Sequence, residues 1–200
     1  MTAATITVRH TPPLDRVPPV SSTRIAMVAL ITTELMLFAG LVGTYLVIRL
    51  SASVWPPADQ PRLPLALTGL NSLALFASLV PMTRSLRALL FAEADRAARL
   101  LLWTATLGLV FLAVQGFEWM RLVHHGLTLG SSQYGAAFYL VIGCHALHVL
   151  AAVVWLGVVT VLARRGRLER RHYDRLEMLA IYWYFVAALW AVLFPLVYLY

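Results

Sequence analysis

Five long stretches of apolar residues dominate the sequence, and each is long enough to cross a lipid bilayer as a helix. Crossing the hydrocarbon core takes about 20 consecutive, mostly apolar residues. Within lipid the backbone N–H and C=O groups must hydrogen-bond to one another. A single apolar run satisfies them by forming an α-helix. The pattern therefore predicts an all-α polytopic membrane bundle over residues 24–200. Its five spans cover approximately residues 25–49, 64–83, 100–122, 136–163 and 177–199.

The composition excludes a water-soluble domain. Hydrophobic residues make up 60% of the 200 residues, charged residues only 12%, and the mean hydropathy is +0.77. Soluble domains carry roughly 25% charged residues. The net charge of +7 comes from arginines between the apolar runs, without the interleaved aromatics of a nucleic-acid surface. The single cysteine, Cys144, excludes an internal disulfide and a cysteine-rich metal site.

The arginines also predict how the bundle is oriented. Residues 1–23 form a polar, proline-rich segment without the early apolar core of a signal peptide, so we expect a flexible or surface-lying tail. Of the 16 arginines, 13 lie in this tail region and the second and fourth connections, against three on the other side. Arginine-rich connections stay in the cytoplasm. The N-terminus is therefore predicted inside, and the C-terminus outside.

Glu34 is the first ionisable residue within a span. It lies about ten residues from the predicted cytoplasmic end, which at ~1.5 Å per residue places it near the bilayer middle. An ionisable side chain is costly there and needs a partner or a function. Glu34 is either a protonatable group coupled to a proton-handling partner, or an uncharged glutamate hydrogen-bonded to a neighbouring helix.

Three further polar residues occupy the second and third spans. Asn71 is a single amide in a run of leucine and alanine, which predicts an interhelical hydrogen bond. Gln115 and Glu118 are three residues apart and therefore share a helix face. They could line a polar path, but the favoured interpretation is a pairing with the next helix along the chain.

His145 and His148 share a face of the fourth span near mid-membrane. A metal would need a third or fourth ligand, for which Glu118 or Glu34 are the candidates. Imidazoles hydrogen-bonded to carboxyls or backbone of adjacent helices are the favoured interpretation, so we predict no metal. The specific expectation is a histidine–glutamate contact between the third and fourth spans.

The last span combines a predicted helix start with buried aromatics. Asp174 and Glu177 have the spacing of a capping box. Trp183, Tyr184 and Trp190 lie deeper than an interfacial belt should, so we expect them to pack between helices or against lipid chains. In the first span, Ala39 and Gly43 are small residues four apart, a spacing that permits close helix approach.

Taken in order, the motifs of all five spans resemble subunit III of the haem–copper terminal oxidases, which oxidise cytochrome c or quinol. The matching segments are Glu34-Leu-Met-Leu-Phe-Ala-Gly-Leu, Trp55-Pro-Pro, Asn71-Ser, Gln115-Gly-Phe-Glu118-Trp, Tyr134-Gly-Ala-Ala-Phe-Tyr-Leu-Val-Ile-Gly-Cys-His145-Ala-Leu-His148-Val and Tyr182-Trp183-Tyr-Phe-Val-Ala-Ala-Leu-Trp190. The His-x-x-His block and the aromatic block are the most specific of these. Family members have seven helices, or five in shorter bacterial forms, and this chain resembles the short form.

The resemblance implies a multi-pass protein of the bacterial plasma membrane that serves aerobic respiratory electron transport without catalysing it. Haem and copper would lie in partner subunits, and this chain would hold no cofactor except a phospholipid bound in a cleft. Its main contact would be oxidase subunit I, with other oxidase or respiratory-supercomplex subunits nearby. It would support the stability of subunit I and its proton uptake.

The resemblance also implies roles for individual residues. Glu34 falls on the family's intramembrane glutamate, which is known for its reactivity with carbodiimides. His145, His148 and Glu177 fall on positions associated with interhelical polar contacts and lipid-side structure.

Two departures keep other functions open. The family usually has Trp-His-Phe-Val-Asp in the last helix, where this chain has Tyr184 and Ala187 in place of the histidine and aspartate. Relative to seven-helix members, the lipid cleft also lacks one wall. The alternatives are a subunit III-like protein of a nitric oxide reductase, and a small proton-coupled carrier that uses Glu34 and His148.

Overall fold

Every regular element of the described part of the chain is helical. The structure, a computed structural model, describes residues 22–57, 61 and 63–200. Its α-helices are α1 (Ser22–Ser51), α2 (Leu65–Ala77), α3 (Leu79–Leu90), α4 (Ala94–His124), α5 (Gln133–Arg164) and α6 (Tyr173–Phe194). A 3₁₀ turn, Arg170–His172, precedes α6, and a π-helical turn, Pro195–Leu199, follows it.

These helices form five membrane-length segments, as the sequence predicts. The second segment, Leu65–Leu90, runs through α2 and α3 and extends seven residues beyond the predicted 64–83. It is interrupted at Ser78. Pro81 explains the interruption, because proline has no N–H to donate to the carbonyl four residues earlier, that of Ala77.

The packing places α4 and α6 in the centre and α1 at an edge. Helix α4 packs against α2, α3 and α5, whereas α6 packs against α3, α5 and α1. Helix α1 touches only α5 and α6 to an appreciable extent, and its buried residues are Met27, Phe38 and Tyr45. The predicted close approach at Ala39 and Gly43 is not made within the described chain, since both are exposed.

Local signals set the helix ends. The Ser132 side chain accepts a hydrogen bond from the Gly135 N–H at 3.1 Å and thereby caps the start of α5. Gly126, which follows α4, has φ +89°, a conformation that suits glycine at a helix C-terminus. The predicted capping box at Asp174 and Glu177 is wrong. Helix α6 already begins at Tyr173, and the capping box of the preceding 3₁₀ turn joins Glu169 and His172, each five residues before the predicted partner.

Most of the predicted tail, residues 1–21, lies outside the described residues. The orientation of the bundle stays a prediction from the arginine distribution. In that orientation α1, α4 and α6 run outward, while α2, α3 and α5 run inward.

Candidate functional site: polar contacts between the helices

Glu34 of α1 pairs with His148 of α5. Glu34 Oε2 lies 2.7 Å from His148 Nε2, and His148 Nδ1 lies 2.7 Å from the carbonyl oxygen of Cys144. Because a carbonyl only accepts, Nδ1 carries a hydrogen and donates it to Cys144. One proton then lies between Nε2 and Oε2. The pair is either a neutral imidazole facing a protonated glutamate or an imidazolium facing a carboxylate.

This pair lies at the edge of the bundle. The side chains of Glu34 and His148 are 19% and 14% exposed. The ring of Phe38, one turn along α1 from Glu34, packs edge-on against His148 with 5.1 Å between ring centroids. The pair is thus held from one side by the protein and is partly open on the other.

Glu118 lies in a second polar cluster, towards the C-terminal end of α4. Thr68 Oγ1 of α2 lies 3.0 and 2.9 Å from the two Glu118 oxygens. Gln115 Nε2 lies 3.3 Å from Glu118 Oε2 and 3.2 Å from the hydroxyl of Tyr198. The expected histidine–glutamate contact between α4 and α5 is wrong, because Glu118 faces α2 and His148 faces α1. The expected pairing of Gln115 and Glu118 with the next helix is also wrong.

His145 differs from His148 although the two are one turn apart. Its ring stacks on Trp190 of α6 with 5.1 Å between centroids and an interplanar angle of 19°. The residue is 1% exposed, and neither ring nitrogen has a hydrogen-bond partner among the described residues. The expectation of a hydrogen-bonded imidazole is therefore wrong at His145. Its position directs the ring into the aromatic core instead.

The predicted interhelical bond of Asn71 is confirmed. Its Nδ2 donates to the backbone carbonyl of Phe111 in α4 at 2.9 Å. The bond ties α2 to α4 about one turn from Thr68 and Gln115 of the Glu118 cluster.

The aromatics of α6 pack between helices, as predicted, and they also donate hydrogen bonds. Trp183 and Trp190 are fully buried. Trp183 Nε1 donates to Ser78 Oγ at 2.9 Å, and Trp190 Nε1 donates to Ser72 Oγ at 2.8 Å. These serines were not identified from the sequence.

Two further contacts hold α6 in place. The Tyr184 hydroxyl lies 2.9 Å from Thr83 Oγ1 of α3, so a polar contact exists where the resemblance expects a histidine. Glu177 accepts from the Arg24 guanidinium at 2.8 Å, which ties the start of α6 to the start of α1.

No group of three or more histidine, cysteine, aspartate or glutamate residues within the described ranges is arranged to hold a metal ion. The polar side chains instead join pairs of helices. The fold and these contacts define a class: a multi-pass helical membrane protein whose intramembrane ionisable groups are held between helices.

Comparison with known proteins gives the family. The family described as cytochrome c oxidase subunit III matches residues 2–200, and this chain belongs to it. It is an accessory subunit III of a haem–copper oxidase, and thus part of an oxidase complex.

The relatives include bacterial and animal proteins. Cytochrome c oxidase subunit 3 of Synechocystis sp. is 34% identical over 177 residues, which cover 86% of this chain and 73% of that protein. A probable cytochrome c oxidase subunit 3 of Nocardia farcinica is 31% identical, covering 84% of this chain and 83% of its own length. The human cytochrome c oxidase subunit 3 is 29% identical over 94% of this chain and 72% of its own length.

Proposed function

We propose that the chain packs against subunit I of its oxidase in the bacterial plasma membrane, with its N-terminus in the cytoplasm. In this position it supports the stability of subunit I and its proton uptake, while haem and copper remain in the partner subunits. Other oxidase or supercomplex subunits and phospholipid complete its surroundings.

The observation that carries this proposal is the Glu34–His148 pair at the edge of the bundle. The pair holds one transferable proton and is partly exposed at a depth where the bilayer is hydrocarbon. Polar groups facing hydrocarbon are costly, and such groups usually face a protein interior. We therefore infer that the assembled complex covers the pair.

The outer face of α1 supports close packing with another helix. Gly40 and Gly43 are exposed, and a Cβ built on either would meet no atom within 4 Å. Small residues of this kind allow helix backbones to approach closely within membranes. Since α1 makes no such approach within the described chain, this face is available to subunit I.

Copurification from mild detergent tests the proposal. A tagged chain is expected to bring down a haem-containing subunit I, identified by mass spectrometry and by the optical spectrum. Gly43→Leu should reduce the recovered haem per tagged chain. Gly157→Leu on α5 is the matched control, because it too has no atom within 4 Å of its Cβ position.

The same preparation discriminates between the alternatives. Copurification of a nitric oxide-reducing complex would favour the reductase assignment over the oxidase. A chain that purifies alone and moves protons in liposomes would overturn the accessory role. Phospholipid binding is tested by mass spectrometry of lipids that remain with the washed complex.

A further inference from the structure

A small cavity leads from the surface at the C-terminal end of α4 to Glu118. Its volume is about 150 Å³. It is lined by Pro61, Pro64, Glu118, Arg121, Leu122 and His125. Arg121 and His125 are exposed, whereas Glu118 is 1% exposed, so the carboxyl lies at the closed end. Water occupies about 30 Å³ per molecule in the liquid, so the cavity has room for a few water molecules.

The hydrogen bonds around Glu118 suit both of its protonation states. Thr68 Oγ1 lies within 3.0 Å of both Glu118 oxygens and 2.9 Å from the carbonyl of Pro64. A threonine hydroxyl has one hydrogen to donate and two lone pairs that accept. With an ionised Glu118, Thr68 donates to the carboxylate. With a protonated Glu118, the carboxyl donates to Thr68, which then donates to Pro64.

Gln115 serves both states as well. Its Nε2 donates to Glu118 Oε2, which accepts in either state if the proton is on the other oxygen. The proton can therefore enter or leave through rotation of one hydroxyl. No helix has to move, and no buried polar group at Thr68 or Gln115 loses its partner.

The mouth of the cavity carries a group that can pass protons to water. His125 Nδ1 lies 2.6 Å from the carbonyl oxygen of Arg121, so Nδ1 keeps its hydrogen. Nε2 is the ring nitrogen that is not engaged in this bond, and an imidazole nitrogen of that kind can accept a proton. His125 and Glu118 are seven residues apart, so about 10 Å of helix separates them along the axis.

Among the residues that the structure describes, few other charged or titratable groups face Glu118. Arg121 lies one turn from Glu118 on α4. The last segment brings the hydroxyl of Tyr198, which lies 3.2 Å from Gln115 Nε2, and α5 brings the phenol of Tyr134 near its start. Helix α2 contains no ionisable residue, and α3 carries its arginines at the opposite end.

We propose that Glu118 is a proton-exchange site in equilibrium with water on the predicted outer surface, through the cavity between Arg121, His125 and Pro64. It is separate from the Glu34–His148 pair, which lies on α1 and α5 at the edge of the bundle. The access follows from the cavity and its hydrogen bonds. Only the side of the membrane depends on the predicted orientation.

A membrane-impermeant, positively charged carbodiimide tests this in sealed vesicles that contain the assembled oxidase. The reagent adds to a protonated carboxyl, and an added amine then displaces the urea and leaves an amide that peptide mass spectrometry locates. Glu118 is expected to be labelled in right-side-out vesicles and unlabelled in inverted ones. Glu34 is the internal control, expected to react only with a lipid-soluble carbodiimide.

A cavity-filling variant tests the route itself. Leu122→Phe narrows the cavity and keeps both hydrogen-bond partners Thr68 and Gln115, so it should suppress labelling of Glu118 while haem content stays normal. Should Leu122→Phe disturb assembly, infrared hydrogen–deuterium exchange of the wild-type complex provides the second measurement. A carboxylic C=O band that shifts rapidly in D₂O and disappears in Glu118→Gln, but persists in Glu34→Gln, is expected.

Two results would overturn the access of Glu118 to water. They are a Glu118 that stays unlabelled from both sides of an intact complex, and labelling that Leu122→Phe leaves unchanged. Labelling from the inverted side alone would overturn the outer side of that access, together with the orientation predicted from the arginines. None of these results bears on copurification with subunit I, which tests the proposed function separately.

Discussion

The indole N–H of Trp183 donates to Ser78 Oγ at the point where the second membrane segment is interrupted between α2 and α3. Ser78 Oγ in turn donates to the carbonyl of Leu75, so the serine satisfies both its own helix and a buried tryptophan of α6. The interruption is thus tied to the centre of the bundle.

Ser78→Ala and Trp183→Phe should each destabilise the protein, and the double variant should lose less than the sum of the two. Coupling energies of membrane hydrogen bonds average about 0.6 kcal/mol and reach about 1.7 kcal/mol. We expect the coupling energy between Ser78 and Trp183 to lie in the upper part of that range, because both side chains are fully buried. A double-mutant cycle on the free energy of unfolding in detergent measures this coupling energy. Additive effects of the two substitutions would contradict the predicted coupling.

Gly108 of α4 should not tolerate even a methyl group. A Cβ at this position would lie 2.7 Å from Trp183 Cη2 and 2.9 Å from Val153 Cγ2. Overpacking of this kind costs about 1–3 kcal/mol. Gly108→Ala is therefore expected to lower the unfolding temperature of the complex.

Gly116 on the same helix is the matched control for that change. A Cβ there meets no atom within 4 Å. Gly116→Ala should leave stability unchanged or raise it by up to about 1 kcal/mol, since alanine is the better helix former. Equal effects of the two substitutions would show that α6 does not pack against Gly108 as described.

The fold was largely predictable from the sequence because hydropathy and length alone decide which segments cross a membrane. The five predicted segments all occur, but the third begins six residues and the fifth seven residues before its predicted start, and the second ends seven residues beyond its predicted end. At the end of the second segment, the arginines of α3 lower the local hydropathy, so the predicted span stopped before them. Pro81 could have predicted the interruption at Ser78, which lies about one turn before it.

The partners of the polar residues were less predictable. Spacing along a helix shows that Gln115 and Glu118 share a face, but it does not show which neighbouring helix that face meets. The structure turns Glu118 towards Thr68. The hydroxyls Thr68 and Ser72, four residues apart in an apolar run, were the available signal for a polar face on α2.

His148→Leu should weaken both the bundle and its association with partner subunits. The substitution removes the partner of Glu34, which then remains at the bundle edge without its hydrogen bond. Leaving such a group unpaired costs about 1–3 kcal/mol, and more if it stays charged. Thermal stability and copurification yield of the complex measure the effect.

The double variant Glu34→Leu with His148→Leu separates this explanation from a loss of packing. It removes both polar groups, so it should be closer to the wild type in stability than His148→Leu alone. A double variant that is less stable than the single one would mean that the pair contributes little through its hydrogen bond.

Glu34→Gln should leave assembly and haem content intact, because the amide still hydrogen-bonds His148 Nε2. It removes the transferable proton of the pair, so its effect on initial turnover should be modest. The expected phenotype is faster loss of oxidase activity during sustained turnover, measured as the decay of oxygen consumption. Loss of haem from the variant complex would contradict a role restricted to proton handling.

The orientation inferred from the arginines predicts which connections a membrane-impermeant maleimide reaches. Cys144 is the only native cysteine, so Cys144→Ser provides a background free of reactive thiols. Gly130, between α4 and α5, and Arg167, after α5, are both exposed and lie at opposite ends of α5. In intact cells Gly130→Cys should be labelled and Arg167→Cys protected, with Arg167→Cys reacting only after the membrane is opened. The reverse pattern would place the arginine-rich connections outside, and it would also assign the mouth of the Glu118 cavity to the cytoplasmic side.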